Sequence, residues 1–286
     1  MVESILSYIW QAVSAALIQI LILLGPGILL ALILNFETSL IQNRAVKTLG
    51  RGWYLGLFGW LGTIVHELGH AIFCVIFRHK ITDIKLFRPD PATGTLGYVK
   101  HSYNRANLYH LTGNFFIGIG PILLGMAIIY LFSWWLLGIN HHNLSSSFSS
   151  VSCQLNSWNS LRELLQALWN SSGYLFTEIF SWKHIASWQL YIFIYLVFAI
   201  GTSITLSPSD IKAAMKGFIV IAVLMLVLNL ATVWAGNFVS RFIIGISGYY
   251  VLFYTIAFLI MLINLAAALL ILFPLSILRL SHSRAN

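Results

Sequence analysis

Charge is what this sequence has least of. Only 8% of its residues are Asp, Glu, Lys or Arg, and only eight of 286 are acidic, against about 25% charged in ordinary soluble domains. That scarcity excludes a chain built of conventional soluble domains. Cysteine is almost missing as well: Cys74 and Cys153 are the only two, so no disulfide framework is implied. What remains is apolar, at 59% hydrophobic residues and a mean hydropathy of +0.85. Nearly uncharged runs of 18 or more residues, each able to cross roughly 30 Å of hydrocarbon, recur along the whole length. The lipid bilayer is therefore the expected solvent. The formal charge of +8 does not point to nucleic acid, because Lys and Arg sit between the apolar runs and form no stripe with interleaved aromatics. They are read as orientation signals instead.

The expected fold is an all-α polytopic membrane protein with about six transmembrane helices and a small membrane-proximal β-hairpin, forming a single membrane-embedded domain over residues 1–286. The spans are expected near 8–35, 53–77, 111–138, 188–206, 211–235 and 246–278. The first run is too long for a removable signal peptide and lacks its basic start and small-residue cleavage site. Gly25-Pro26-Gly27 is expected to bend that run, since proline removes a helix hydrogen bond and crowds the preceding turn. Residues 36–52 are expected as a short interfacial helix.

Six spans place both termini on one side. Loops on that side hold Arg78, Lys80, Lys85, Arg88, Lys100, Arg105, Lys212, Lys216, Arg279 and Arg284. The other side holds Arg44, Lys47, Arg51, Arg162, Lys183 and Arg241. The excess favours cytoplasmic termini, as expected for a bacterial inner-membrane protein. Residues 139–187 then form an extracytoplasmic loop. It opens with a Ser- and Asn-rich flexible stretch, 140–152, and continues at 161–182 as a helix fit to lie on the outer surface. Asn143 and Asn170 begin glycosylation-type triplets that chance alone supplies. On the cytoplasmic side, two β-rich runs within 81–103 flank a Pro/Asp/Gly turn cluster, which predicts a hairpin.

The chemistry is concentrated in HELGH, residues 66–70. His66 and His70, four apart on a helix, leave one face and can converge on one metal ion. Glu67 lies one step around, within reach of a metal-bound water, where it can act as general base. A membrane span makes the signal sharper, because an ionisable group there is expensive and is usually functional or paired. The plain alternative is a buried polar cluster that glues helices together, or a proton relay, but neither requires this spacing. Gly69 permits close approach of another backbone. Cys74 reads as a packed, inert thiol.

Catalytic zinc usually keeps three protein ligands, so one is missing from the motif. The candidates are Asp83, Asp90, His101, His110, Glu178, His184 and Asp210. HELGH ends about eight residues before Arg78, roughly 12 Å by helix rise, which favours the cytoplasmic half and disfavours Glu178 and His184. Asp210, at the expected cytoplasmic start of span five, is the leading choice, with His110 next. Ser207-Pro208-Ser209-Asp210 is equally a helix-start signature, with Ser207 as N-cap and Asp210 closing the capping box.

HELGH inside a span resembles the site-2 protease family of intramembrane zinc metalloproteases, over about 53–125 and more weakly over 200–216. The resemblance implies Zn2+ held by His66, His70 and an aspartate from a later span, here Asp210, together with a β-hairpin beside the site. In the family that aspartate precedes glycine in an Asn/Pro-rich run; this chain has SPSD instead. Gly113-Asn114 with Pro121 is similar to the family's Asn and Pro, so Asn114 is a candidate substrate-binding residue, with helix glue the equal alternative. The implied function is hydrolysis of a peptide bond in or near a transmembrane segment of a membrane-protein substrate. Rival readings are a membrane zinc enzyme acting on a lipidated substrate, a metal transporter, and a noncatalytic zinc-binding subunit. The oligomeric state stays open.

Overall fold

The computed structural model describes residues 2–90, 92, 94–139, 158–232, 234, 238–272 and 274. The Ser- and Asn-rich stretch 140–152, the triplet at Asn143, Cys153, Arg279 and Arg284 lie outside the described residues. The chain is an all-α membrane protein carrying, among the described residues, one two-stranded antiparallel sheet. Among the described residues, five helices are long and apolar enough to cross a bilayer.

Helix α1 spans Val2–Leu49 without a break and contains Pro26. The expected interfacial helix over 36–52 is thus not separate, because residues 36–49 continue α1 and the turn comes at Gly50, whose φ of 88° suits glycine. Helix α2, Arg51–Ile76, follows with a π-turn at Leu55–Gly59 and carries HELGH in its second half. It ends on Arg78, which takes a left-handed φ of 57° while His79 N–H closes back on the Cys74 carbonyl at 2.8 Å.

Strands β1 (Lys80–Lys85) and β2 (Tyr98–Ser102) pair from Lys80 opposite Ser102 to Lys85 opposite Tyr98, with a bulge between Ile81 and Asp83. The hairpin predicted within 81–103 is therefore present, and its turn carries Gly94 at φ 75°. Helix α3, Leu108–Leu137, starts on Asn107, whose side-chain oxygen accepts from Tyr109 N–H at 2.9 Å, and stops at left-handed Gly138.

The remaining helices are α4 (Trp158–Ile179), α5 (Trp182–Ile185), α6 (Trp188–Gly201), α7 (Pro208–Thr232), α8 (Phe238–Gly245) and α9 (Ser247–Ala267), the last extended by a π-turn at Ala268–Leu272. The amphipathic segment expected on the outer surface forms α4, which packs on α9 with Leu164, Leu175 and Ile179 buried. Helix α6 departs from expectation. It has 14 residues, about 21 Å, and stops short of the span drawn to 206. Residues 202–207 are non-helical because Pro208 needs an extended residue before it and Ser207 serves as the cap of α7. Such backbone is tolerated at membrane depth only when buried in protein, and Thr202 and Ile204 are buried.

Helix α3 is the hub, packed chiefly on α2 and α7. The α2/α3 crossing depends on missing side chains: a Cβ on Gly69 would lie 2.6 Å from Pro121 N, and one on Gly120 would lie 2.7 Å from the Gly69 carbonyl oxygen. Small residues at a crossing let two backbones approach this closely, which is how helices gain contact in lipid.

Candidate metal centre

His66 and His70 project from one face of α2, as their spacing requires. The Ser203 carbonyl lies 2.9 Å from His66 Nδ1, and the Ile117 carbonyl lies 2.8 Å from His70 Nδ1. A carbonyl only accepts, so each Nδ1 carries the hydrogen and each Nε2 is left as a bare lone pair. The two Nε2 atoms face each other at 3.3 Å. Two neutral lone pairs gain nothing from that approach unless a cation or a proton sits between them.

Asp210 completes the group. Its Oδ1 is 3.4 Å from His70 Nε2 and its Oδ2 is 3.9 Å from His66 Nε2. One ligand atom from each of the three residues falls within 4.8 Å of the others, and no other group of three or more such side chains occurs among the described residues. Tetrahedral ligands about 2.0–2.1 Å from zinc stand roughly 3.3–3.4 Å apart; the Nε2–Nε2 separation and the His70–Asp210 separation match that spacing, and the His66–Asp210 separation, at 3.9 Å, is wider. Ring N–H groups tied to carbonyls are also the usual outer shell of zinc-binding histidines.

Asp210 is brought to this position by the start of α7. Helix α7 begins beside α3, where a Cβ on Gly118 would meet the Asp210 carbonyl oxygen at 2.7 Å. The capping geometry is also present. Ser207 N–H donates to Asp210 Oδ2 at 2.8 Å, and Asp210 N–H donates to Ser207 Oγ at 3.2 Å. The two readings of SPSD do not compete: one carboxylate caps α7 and faces both imidazoles.

Glu67 is buried, as are Asn114 and His70. The start of β2 comes down on Glu67, since a Cβ at Gly97 would lie 2.8 Å from Glu67 Cγ and from the Leu86 carbonyl oxygen. Asn114, one turn before Ile117 on α3, keeps a buried Nδ2 with no partner. An unpaired buried donor costs about 1–3 kcal/mol.

The other candidate ligands lie elsewhere. His101 joins His79 near His110. Their Nδ1 atoms stand 3.0 Å apart, the His110 carbonyl accepts from His79 Nε2–H at 2.9 Å, and Tyr103 stacks on the His79 ring. Burial lowers the pKa of both rings, His101 to about 4, helped there by neighbouring His79. Asp83 accepts from Tyr98 Oη at 2.6 Å, a bond that holds its carboxyl below the usual range. Asp90 closes the hairpin turn onto Ala92 N–H. The Glu178 carbonyl accepts from His184 Nδ1–H at 2.8 Å, at the end of α4.

Sequence reasoning missed three features: the Ser203 and Ile117 carbonyls, which any residue could supply, and Gly97, whose only signal is a glycine opening the second β-rich run. No protein-family model, curated protein or solved structure matches the chain.

Proposed function

We propose that this protein is an intramembrane zinc metalloprotease, hydrolysing a peptide bond in or near a transmembrane segment of a membrane-protein substrate. The observation that carries the reading is the meeting of His66, His70 and Asp210 with both Nε2 lone pairs turned inward. Zinc bound there supplies Lewis acidity and lowers the pKa of water. Glu67, the neighbour of the first ligand, takes a proton from the attacking water and returns it to the leaving amine. Asn114 Nδ2 is a donor available to a substrate carbonyl. The hairpin lies over Glu67 at Gly97, so an unwound substrate segment added along its edge would reach the site in extended form. With α6 and the irregular run 202–207 together counted as one crossing beside the five long helices, the excess of Lys and Arg on one side is the basis for placing both termini in the cytoplasm, in a bacterial inner membrane.

The test begins with metal analysis of purified protein. One zinc per chain is expected in the wild type and in Glu67→Gln, and little in His66→Ala. In proteoliposomes with single-span membrane proteins as substrates, mass spectrometry should find new internal termini with wild type and none with Glu67→Gln. A metal-free wild type, or equal cleavage by Glu67→Gln, overturns the reading.

A further inference from the structure

Glu37 is a second carboxylate inside an apolar helix, and the chemistry above makes no use of it. Residues 4–36 of α1 carry no charge, then Glu37 appears, 9% exposed, with both oxygens covered and bonded to nothing. A groove of about 190 Å3 runs over it between α1 and the end of α9, walled by Leu40, Ile41, Leu265 and Leu269. Three of these walls face outward: Leu40 is 51% exposed, Leu265 46% and Leu269 58%. An ionisable group at such a place is expected to be paired. Protonation does not satisfy it, because the resulting hydroxyl still lacks an acceptor.

The depth and chemistry of the groove select the partner. Arg44, Lys47 and Arg51 mark where the apolar stretch ends, and Glu37 lies seven residues before Arg44, about 10 Å inward by helix rise. The unbroken α1 moves the end of the first span from residue 35 to the cationic run that begins at Arg44, and on that placement Glu37 lies inside a hydrocarbon half-layer of roughly 15 Å, deeper than a lipid ammonium at headgroup level. Arg44 lines the same groove without bonding the carboxylate, as expected of a long cationic side chain near a helix end that turns to the interface. A hard metal cation needs several oxygen ligands, and Glu37 is the only carboxylate in the lining.

We propose that this groove docks a transmembrane helix of a partner protein carrying one lysine or arginine at the matching depth. The partner's cation pairs with Glu37, and its flanking apolar side chains seat on Leu40, Leu265 and Leu269. Docking requires the carboxylate to turn into the groove, a rotamer change of the kind common at interfaces.

The test uses full-length protein in phosphatidylcholine vesicles, labelled with an energy-transfer donor. The probes are acceptor-labelled Leu/Ala peptides of about 20 residues, with Lys, Leu or Glu at one guest position moved stepwise through the bilayer. At one depth the Lys peptide should bind about tenfold more tightly than the Leu peptide, the scale of one interhelical polar contact in lipid. Glu37→Gln, checked for unchanged zinc content, should bring the two peptides to parity. Ala268→Trp, which fills the groove and leaves Glu37 in the sequence, should weaken the Lys peptide. Equal binding of Lys and Leu peptides to the wild type overturns the proposal. So does loss of the Lys preference when phosphatidylethanolamine is added, which assigns the groove to a lipid amine, or Glu37-dependent transfer between two copies of the protein, which assigns it to self-association. None of these readouts depends on proteolysis.

Discussion

Asp210 concentrates the residue-scale chemistry, because one carboxylate caps α7 and faces two imidazoles. The two duties separate by substitution. Asp210→Asn keeps an oxygen able to accept Ser207 N–H but loses the charge, so α7 should hold while zinc occupancy falls, as metal analysis at limiting zinc would read. Ser207→Ala removes the other half of the box and should cost about 1 kcal/mol of stability with zinc content unchanged. If Asp210→Asn binds zinc as wild type does, Asp210 serves only the helix. The imidazoles were legible in the sequence because 3.6 residues per turn fixes where i and i+4 point. Their backbone partners were not, since the Ser203 and Ile117 carbonyls belong to positions brought there by packing.

At the scale of elements, the site depends on how closely α2 and α3 cross. Gly69 and Gly120 sit face to face, and a β-carbon on either strikes backbone, which cannot move aside as a flexible side chain would. Gly120→Val should separate the helices, lower thermal stability in detergent by about 1–3 kcal/mol as overpacking does, and reduce zinc content. Unchanged zinc binding would mean that the crossing does not position the site. The hairpin makes a different prediction. His79 and His101 bind protons less readily in the fold than in the unfolded chain, where a histidine titrates near 6.5. The unfolded state therefore holds more protons between that value and about 4, and stability falls as pH drops through this window. With both rings neutral, His101 Nδ1–H donates to His79 Nδ1; with both protonated, two N–H groups oppose. Hydrogen exchange at residues 98–102 should accelerate as pH is lowered from 7 towards 4, beyond the intrinsic pH trend, and His101→Phe should lose that dependence.

For the whole molecule, hydropathy and length identified the membrane class and drew six spans, five of which are helices long and apolar enough to cross a bilayer, because lipid imposes a simple rule on every span: about 20 apolar residues with all backbone groups bonded internally. The same rule overestimated α6. Residues 188–206 carry no charge and are mostly apolar, yet the helix stops at Gly201 and the chain continues as partly buried irregular backbone. Hydropathy registers burial whether lipid or protein surrounds the segment, so it cannot distinguish the two. Helix α1 erred the other way, since its polar end after Glu37 suggested a separate element where the structure has one helix to Leu49.

The sequence alone determined the solvent of this protein, the helix that bears the candidate ligand pair His66 and His70, the geometry of that pair and the hairpin that follows. These are local consequences of composition, period and turn chemistry. Only the tertiary structure decided that Asp210, not His101 or His110, meets His66 and His70, that Gly97 lies on Glu67, and that Glu37 is buried without a partner. Each of those facts depends on which helices cross and how near they come, and that is fixed by packing between residues far apart in the chain.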